Sequence, residues 1–351
     1  MLATTGTTPY NVDVLNTLFS QTSSFYRFRY RTRWVSEDIK KDIRKICESK
    51  GIVVLCSLNP KDPKPILIRR VLIKNVETSG DFVYIEFQNL DFVSSKETNL
   101  IEQIGKSVGD EVSSKNPSFL FVSKITAAGP PPNSNDDDLE QWTETINKVG
   151  EFEGFERATF LKLKSIEDLD KNRSVDIDSN NGRYKIMGSR TYEIDIIQSM
   201  TRKSQDKQVV EGGITMTASA PDAHINLVRN CATIVGRYDM LQILFRTKKR
   251  ALKTDSIIAL SADEKQIMKA RKNPRLLPNA IVEPTINLTI GMSRSLLWIV
   301  PLIVLGLVMT AFGAAYSQSG FDFWRALTGA VVGAVGAIVS AYLGLRYLSE
   351  E

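Results

Sequence analysis

The sequences SLLWIVPLIVLGLVMTAFGAAY (residues 295–316) and ALTGAVVGAVGAIVSAYLGL (residues 326–345) lie near the C-terminus of this 351-residue chain. Neither stretch contains an Asp, Glu, Lys or Arg. An α-helix rising ~1.5 Å per residue needs roughly 20 apolar residues to cross ~30 Å of hydrocarbon. The two stretches therefore predict a two-helix transmembrane hairpin that carries a large polar head.

The residues before these stretches are too polar for further spans and predict an α+β cytoplasmic head with a mixed or antiparallel sheet. The predicted parts are a first α+β part (1–125), a Pro/Asn/Asp-rich loop or linker (126–138), a second α+β part (139–272), a proline-containing strap (273–294) and the hairpin (295–351). The proposed linker fits a loop within one domain as well as a boundary between two.

Charge next to the apolar stretches predicts the orientation of the head. The segment before the first stretch is rich in Lys and Arg, whereas the loop between the stretches has only Arg325 and Asp322. Because positive charge next to a span is retained in the cytoplasm, we expect a two-span inner-membrane protein with a cytoplasmic head and C-terminus. Three Cys without a CxxC motif and a single His indicate reduced thiols and no metal site.

Patterns of apolar residues predict the elements of the head. Strands are predicted over 26–34, 52–57, 66–75, 82–87, 119–124, 158–164, 183–187 and 191–198, and apolar runs of undecided type at 214–218, 241–245 and 257–260. Helices are predicted over 36–50, 99–108, 139–148 and 261–272. The first of these helices rests on Ser36 as N-cap and Gly51 as terminator, and the last on a capping box of Ser261 and Glu264.

The head contains a regular row of arginines, which we call the arginine row: Arg27, Arg29, Arg31 and Arg33. They alternate with Tyr26, Phe28, Tyr30 and Thr32, and Trp34 follows. On a strand, alternate residues share one face at intervals of ~6.6 to 6.8 Å, which is close to the phosphate spacing of an extended single strand. The row predicts binding of a nucleotide or single-stranded oligonucleotide. The alternative is a solvated face paired with acidic neighbours such as Asp81 and Glu86.

A second basic cluster consists of Arg246, Lys248, Lys249 and Arg250. Because it precedes the predicted spans, we expect it to set orientation or to contact membrane lipids, with nucleic-acid binding as the alternative.

The second apolar stretch carries small residues on one helical face. They are Gly329, Gly333, Gly336, Ser340 and Gly344. Such spacing lets helices pack closely in lipid. The partner is either the first span or another subunit, so the face predicts helix packing or a pore in a homo-oligomer of four or more subunits. The alternative is a hairpin that only anchors the head.

Catalytic motifs are absent from the sequence. There is no phosphate-binding G-x-x-x-x-G-K-[ST] loop, no H-E-x-x-H motif and no G-x-S-x-G elbow. We therefore expect no enzyme, no catalytic residues, no metal and no cofactor. A membrane-bound enzyme, in which a polar residue of the head would act on a substrate, is a further hypothesis.

The order of a sensing head and a two-span hairpin resembles the membrane effectors of bacterial anti-phage defence that respond to nucleotide or oligonucleotide signals, of CBASS or Hailong type. The resemblance rests on that architecture, on the arginine row and on the small-residue face. It implies a homo-oligomeric, ligand-controlled, pore-forming ion channel in antiviral defence, whose head binds an oligonucleotide. The alternative from another class is a tethered scaffold or binding protein.

Overall fold

The computed structural model describes residues 1–5, 10–56, 64–125, 137–152, 155, 158–201, 214–234, 238–248, 253–263, 265–266, 268, 272, 280–281 and 283–291. Within these residues the chain is mostly β-sheet, with sixteen strands in three sheets and four α-helices. The helices are α1 (Tyr10–Phe19), α2 (Glu37–Lys41), α3 (Thr98–Val112) and α4 (Asp137–Val149).

The first sheet is built from the N-terminal strands. They are β1 (Leu2–Thr5), β2 (Phe25–Arg31), β3 (Lys50–Cys56), β4 (Pro65–Ser79) and β5 (Phe82–Phe92), in the order β1-β3-β4-β5-β2. The β1–β3 pair is parallel and the other pairs are antiparallel. This order leaves β2 at one edge of the sheet, paired only with β5.

The second and third sheets contain the remaining strands. These are β6 (Ala158–Asp168), β7 (Arg173–Ser174), β8 (Tyr184–Met187), β9 (Thr191–Met200), β10 (Ile214–Ser219), β11 (Ile225–Arg229), β12 (Cys231–Ile234), β13 (Tyr238–Thr247), β14 (Thr254–Ala262), β15 (Ala280–Ile281) and β16 (Thr285–Gly291). The second sheet has the order β11-β13-β9-β6-β15, with β7 paired to β6, and the third has the order β12-β10-β14-β16-β8. Strand β16 lies within the predicted strap, so the end of that segment is part of the third sheet.

Two hydrophobic cores hold the sheets together, and β6 contributes to both. The first core combines the first sheet with the apolar faces of α3 and α4, and includes the fully buried Trp142. The second core lies between the second and third sheets. Along β6, Ala158 and Phe160 belong to the first core, whereas Leu161 and Leu163 belong to the second. Both faces of β6 are therefore covered, and residues 158–163 are all buried, including the polar Thr159 and Lys162.

The predicted α+β class is wrong, because the described chain is dominated by strands. Residues predicted as a helix over 36–50 form only α2 and a 3-10 turn, Ile43–Ile46, before β3 begins at Lys50. Ser261, the predicted cap of a helix, lies in β14 opposite Thr217 of β10, and the predicted helix begins only after it: the described residues 265, 266, 268 and 272 are helical. Residues 119–124 contribute only isolated bridges at Leu120. Strand pairing therefore outweighed the local helix signals.

The helices of the structure contradict the predicted membrane spans. No helix among the described residues is long and apolar enough to cross a bilayer. The longest of them, α3, has 15 residues and carries Glu102, Lys106 and Asp110 on an amphipathic surface, short of the roughly 20 apolar residues that a span requires. The expected transmembrane hairpin, the inner-membrane two-span localisation and the ion-channel and pore-forming expectations are therefore wrong for this structure. The stretches 295–316 and 326–345 themselves lie outside the described residues.

The remaining strand and helix predictions are largely confirmed. The runs at 52–57, 66–75 and 82–87 correspond to β3, β4 and β5, and the helices at 99–108 and 139–148 correspond to α3 and α4. The predicted strands 183–187 and 191–198 are β8 and β9, but they belong to different sheets. Most of the predicted linker, residues 126–136, lies outside the described residues.

Two glycines with positive φ provide a matched test of the contact between the first sheet and the turn before β8. Gly182 has φ +63 and a Cβ placed on it collides with the backbone nitrogen and ring of Phe25, whereas Gly80 has φ +54 and open space around it. We expect Gly80→Ala to cost about 1 kcal/mol through backbone strain. Gly182→Ala adds a steric clash and is expected to cost about 3 kcal/mol. Urea unfolding of both variants measures the difference, and equal losses would show that Phe25 moves aside freely.

A candidate oligonucleotide-binding face

The arginine row begins on β2, at the edge of the first sheet. Along this strand Phe28 and Tyr30 are buried at 2% and 4% exposure, whereas Arg27, Arg29 and Arg31 are exposed. The predicted alternation is confirmed over residues 27–31. It arises because successive side chains of a strand point to opposite faces, so the aromatic residues enter the core and the guanidinium groups stay outside.

Arg33 does not continue the alternation. Residues Thr32–Trp34 form a 3-10 turn, in which the Thr32 N–H donates to the Asp81 carbonyl oxygen at 2.8 Å. The Arg33 guanidinium lies over the Trp34 ring, 5.1 Å from its centroid. The structure therefore places three arginines on one strand face and the fourth on the turn that follows.

Aromatic rings of the neighbouring strand share the outer face with these arginines. Phe82 and Tyr84 are half-buried on β5 and alternate with the buried Val83 and Ile85. The Arg27 guanidinium lies 4.5 Å from the Tyr84 ring centroid. The Arg29 guanidinium lies 5.0 Å from that of Phe82. We call this surface, made of Arg27, Arg29, Arg31, Phe82 and Tyr84, the arginine-aromatic face.

Charge on the arginine-aromatic face is only partly neutralised. Arg27 forms an ion pair with Glu77 of β4 at 2.6 Å. Both side chains are more than half exposed, so the pair contributes little to stability. Within the part of the chain that the structure describes, Arg29, Arg31 and Arg33 form no ion pair. The alternative prediction is a solvated face in which the arginines pair with acidic neighbours such as Asp81 and Glu86. Among the described residues only Arg27 of the row is ion-paired, and its partner is Glu77.

Sequence reasoning missed Phe82, Tyr84 and Glu77 as members of this surface. The alternation of Phe82 and Tyr84 with apolar residues was visible, but their position beside the arginines depends on the antiparallel register that sets Arg29 opposite Tyr84 and Arg31 opposite Phe82. The register between two strands that are about fifty residues apart in the chain cannot be read from one sequence.

The other predicted sites are partly described. Arg246 and Lys248 lie at the end of β13, both exposed, and line a cavity in the second sheet. Lys249 and Arg250 lie outside the described residues, as do all five residues of the small-residue face. Of the described residues of this cluster, Arg246 lies on β13 of the second sheet and Lys248 directly follows it, whereas the arginine-aromatic face belongs to the first sheet.

Groups with catalytic potential are few among the described residues. Burial raises the pKa of the Cys56 thiol to about 12, so this thiol stays protonated and is a poor nucleophile. The single histidine, His224, lies with its Nε2 3.7 Å from an oxygen of Asp222 at a surface turn. The described residues contain no group of three or more His, Cys, Asp or Glu that could hold a metal ion. Absence of enzymatic activity stays a prediction.

Comparisons with known proteins add no family. No model of a known protein family matches the sequence, and no curated protein is significantly similar to it. Function must therefore be argued from the chemistry of the arginine-aromatic face.

Proposed function

We propose that this protein is a non-enzymatic binding protein for single-stranded oligonucleotides or nucleotides, and that the arginine-aromatic face is its binding surface. The observation that carries the proposal is the pairing of guanidinium groups with half-exposed rings on one sheet face, at 4.5 Å and 5.0 Å. The proposal keeps the ligand-binding expectation from the sequence. It includes neither a membrane pore nor the resemblance to membrane effectors.

The arginines are the proposed phosphate-binding groups. Arg27, Arg29 and Arg31 are spaced by two residues on a strand, so their stems are roughly 6.6 to 6.8 Å apart. A guanidinium can hold a phosphate by two parallel hydrogen bonds, and it remains charged at any physiological pH. Three such groups along an exposed edge strand match successive phosphates of an extended chain.

Base recognition falls to the rings of β5. The Phe82 and Tyr84 ring centroids are 6.4 Å apart, and both rings face the same side of the sheet as the arginines. Exposed rings on a sheet stack on unpaired bases, whatever their sequence, and such stacking contributes ~1–3 kcal/mol per base. A duplex hides its base faces, so this arrangement favours single strands over double strands.

The ion pair of Arg27 with Glu77 makes Arg27 the weakest of the three proposed phosphate contacts. A phosphate at Arg27 competes with the Glu77 carboxylate, whereas Arg29 and Arg31 have no such competitor among the described residues. We therefore place the strongest phosphate contacts at Arg29 and Arg31.

Binding of a fluorescently labelled single strand to the full-length protein tests the proposal. We expect saturable binding that weakens as salt is added, with a logarithmic slope of about −0.7 for each phosphate contacted. Phe82→Leu together with Tyr84→Leu keeps the charges and removes two stacking surfaces, so affinity should fall about tenfold or more while the salt slope stays the same. Fluorescence anisotropy across a salt series measures both quantities.

The matched control is Leu139→Ala, which alters an exposed apolar residue on α4 and should leave binding unchanged. Equal affinity for single-stranded and duplex ligands, or an unaltered affinity in the doubly substituted aromatic variant, would contradict the stacking role of the face.

A further inference from the structure

A cavity of about 300 Å³ lies at the end of the second sheet, beside the turn that joins β8 to β9. It is lined by Ser189, Asn226, Arg246, Thr247 and Lys248. The five lining residues that the structure describes are all polar; two are cationic and none is acidic. Its size is at the lower end of small-molecule sites, which span ~300–1,000 Å³.

Backbone pairing fixes the residues around this cavity. Arg246 and Asn226 are opposite each other in the antiparallel pair of β13 and β11. The Ser189 N–H donates to the Lys248 carbonyl oxygen at 3.2 Å, and the Lys248 N–H donates to the His224 carbonyl oxygen at 2.9 Å. Three separate segments of the chain are thus held together at the rim.

Thr247 anchors the turn instead of facing a ligand. Its side chain is buried, and its hydroxyl donates to the Met187 carbonyl oxygen at 2.7 Å and accepts the Arg190 N–H at 3.1 Å. Ser189 occupies the left-handed region with φ +62, a conformation that costs a non-glycine residue energy and is kept only where the surroundings enforce it. The turn is therefore held in one shape.

The electrostatic balance of the cavity is positive. Arg246 and Lys248 are exposed, and neither forms an ion pair with any residue in the described ranges. Three described carboxylates near the rim have other partners: Asp168 is ion-paired with Arg190, Asp170 accepts the Thr191 N–H at 2.9 Å, and Asp222 accepts the His224 N–H at 2.9 Å. An anion entering the cavity consequently meets two cations and no competing acid among the described residues of the lining.

We propose that this cavity is a second anion site, which binds the phosphoryl group of a small phosphorylated ligand. Arg246 offers a bidentate fork, Lys248 a point charge, and Asn226 a neutral hydrogen-bonding group at the rim. The site does not depend on the arginine-aromatic face, since that surface belongs to the first sheet and the cavity to the second.

Titration of the full-length protein with inorganic phosphate and with glycerol 3-phosphate tests this assignment. Ionic strength is held constant with sodium chloride, and binding is measured by calorimetry or by phosphorus NMR line broadening. We expect saturable binding by the unmodified protein and at least tenfold weaker binding by Arg246→Gln with Lys248→Gln. Lys106→Gln with Lys115→Gln removes two exposed cations near α3 and should have no effect.

Two further variants separate the cavity from a loss of folding and from the other face. Asn226→Asp introduces a carboxylate at an exposed position of β11 and should also weaken phosphate binding, with an unchanged urea midpoint. Arg29→Gln with Arg31→Gln removes the phosphate contacts proposed for the arginine-aromatic face, so the saturable phosphate binding that remains in this variant reports on the cavity alone. The assignment is overturned if phosphate fails to saturate in this background at constant ionic strength, or if adding the Arg246 and Lys248 substitutions to it leaves phosphate binding unchanged.

Discussion

Reversal of two charges on the arginine-aromatic face, by Arg29→Glu with Arg31→Glu, is expected to lower affinity for a single-stranded oligonucleotide at least a hundredfold. Hydrogen bonds to charged groups contribute about 1.5–3 kcal/mol each, so the loss of two such contacts amounts to about 3–6 kcal/mol. Carboxylates at these positions also repel the phosphates. Both side chains are exposed on an edge strand and form no ion pair within the described residues, so the fold should tolerate the change.

Anisotropy with a labelled strand measures this loss, and a variant of equal charge provides the control. Lys106→Glu with Lys115→Glu changes the net charge by the same amount on exposed residues in and after α3. We expect that control to lose only the few-fold affinity that long-range charge accounts for. If both variants weaken binding equally, the protein attracts nucleic acid through its overall charge of +5 and the face has no special role.

The parts of the fold that could be predicted from sequence are those with an unbroken local period. The alternation around Phe28 and Tyr30 predicted β2, and the steps of four from Leu100 to Ile104, Val108 and Val112 correspond to the buried side of α3. Side-chain periods of two and 3.6 follow from backbone geometry alone, so they can be read from the sequence without knowledge of the partner elements.

Errors arose where a cap-like sequence occurs inside a strand or a turn. Ser261 and Glu264 have the spacing of a capping box, yet Ser261 pairs with Thr217 in the third sheet, and the Asp263 side chain instead accepts the Lys265 N–H at 2.9 Å where the helical residues begin. Gly51, the predicted helix terminator, lies in β3, with Leu2 and Val71 so close that a Cβ would crowd both. Pairing between distant strands decided these segments, and a single sequence contains no direct record of that pairing.

The candidate sites, like the fold, could be predicted from sequence only where the signal is local. The arginines were found because their alternation is local, whereas Phe82 and Tyr84 joined them only through the β2–β5 register. Likewise, the sequence shows Arg246 and Lys248 as a basic cluster, but Ser189, in the turn between β8 and β9, and Asn226, on β11, line the same cavity from segments that are remote in sequence. Local charge is readable from sequence, while the neutral groups that complete a site depend on topology.

The largest loss of stability is expected for Arg69→Met, at a side chain of β4 that is fully buried. The Arg69 guanidinium donates to the carbonyl oxygens of Leu90 at 2.6 Å, of Thr17 at 2.9 Å and of Ser20 at 2.6 Å. Thr17 and Ser20 lie at the C-terminal end of α1, whose last carbonyls lack helical partners and carry negative partial charge. Arg69 therefore joins the end of α1 to the first sheet.

Methionine fills a similar volume and removes every one of these hydrogen bonds. Each buried acceptor left without a partner costs about 1–3 kcal/mol, so we expect the free energy of unfolding to fall by about 4 kcal/mol. Part of the loss is offset because a buried guanidinium no longer has to be desolvated, and this offset limits the effect. Urea unfolding measures it, with Arg173→Met on the exposed strand β7 as the control, which should change stability by less than about 0.5 kcal/mol. An unchanged midpoint in the Arg69 variant would mean that desolvation fully cancels its hydrogen bonds, and that the end of α1 is held by apolar packing alone.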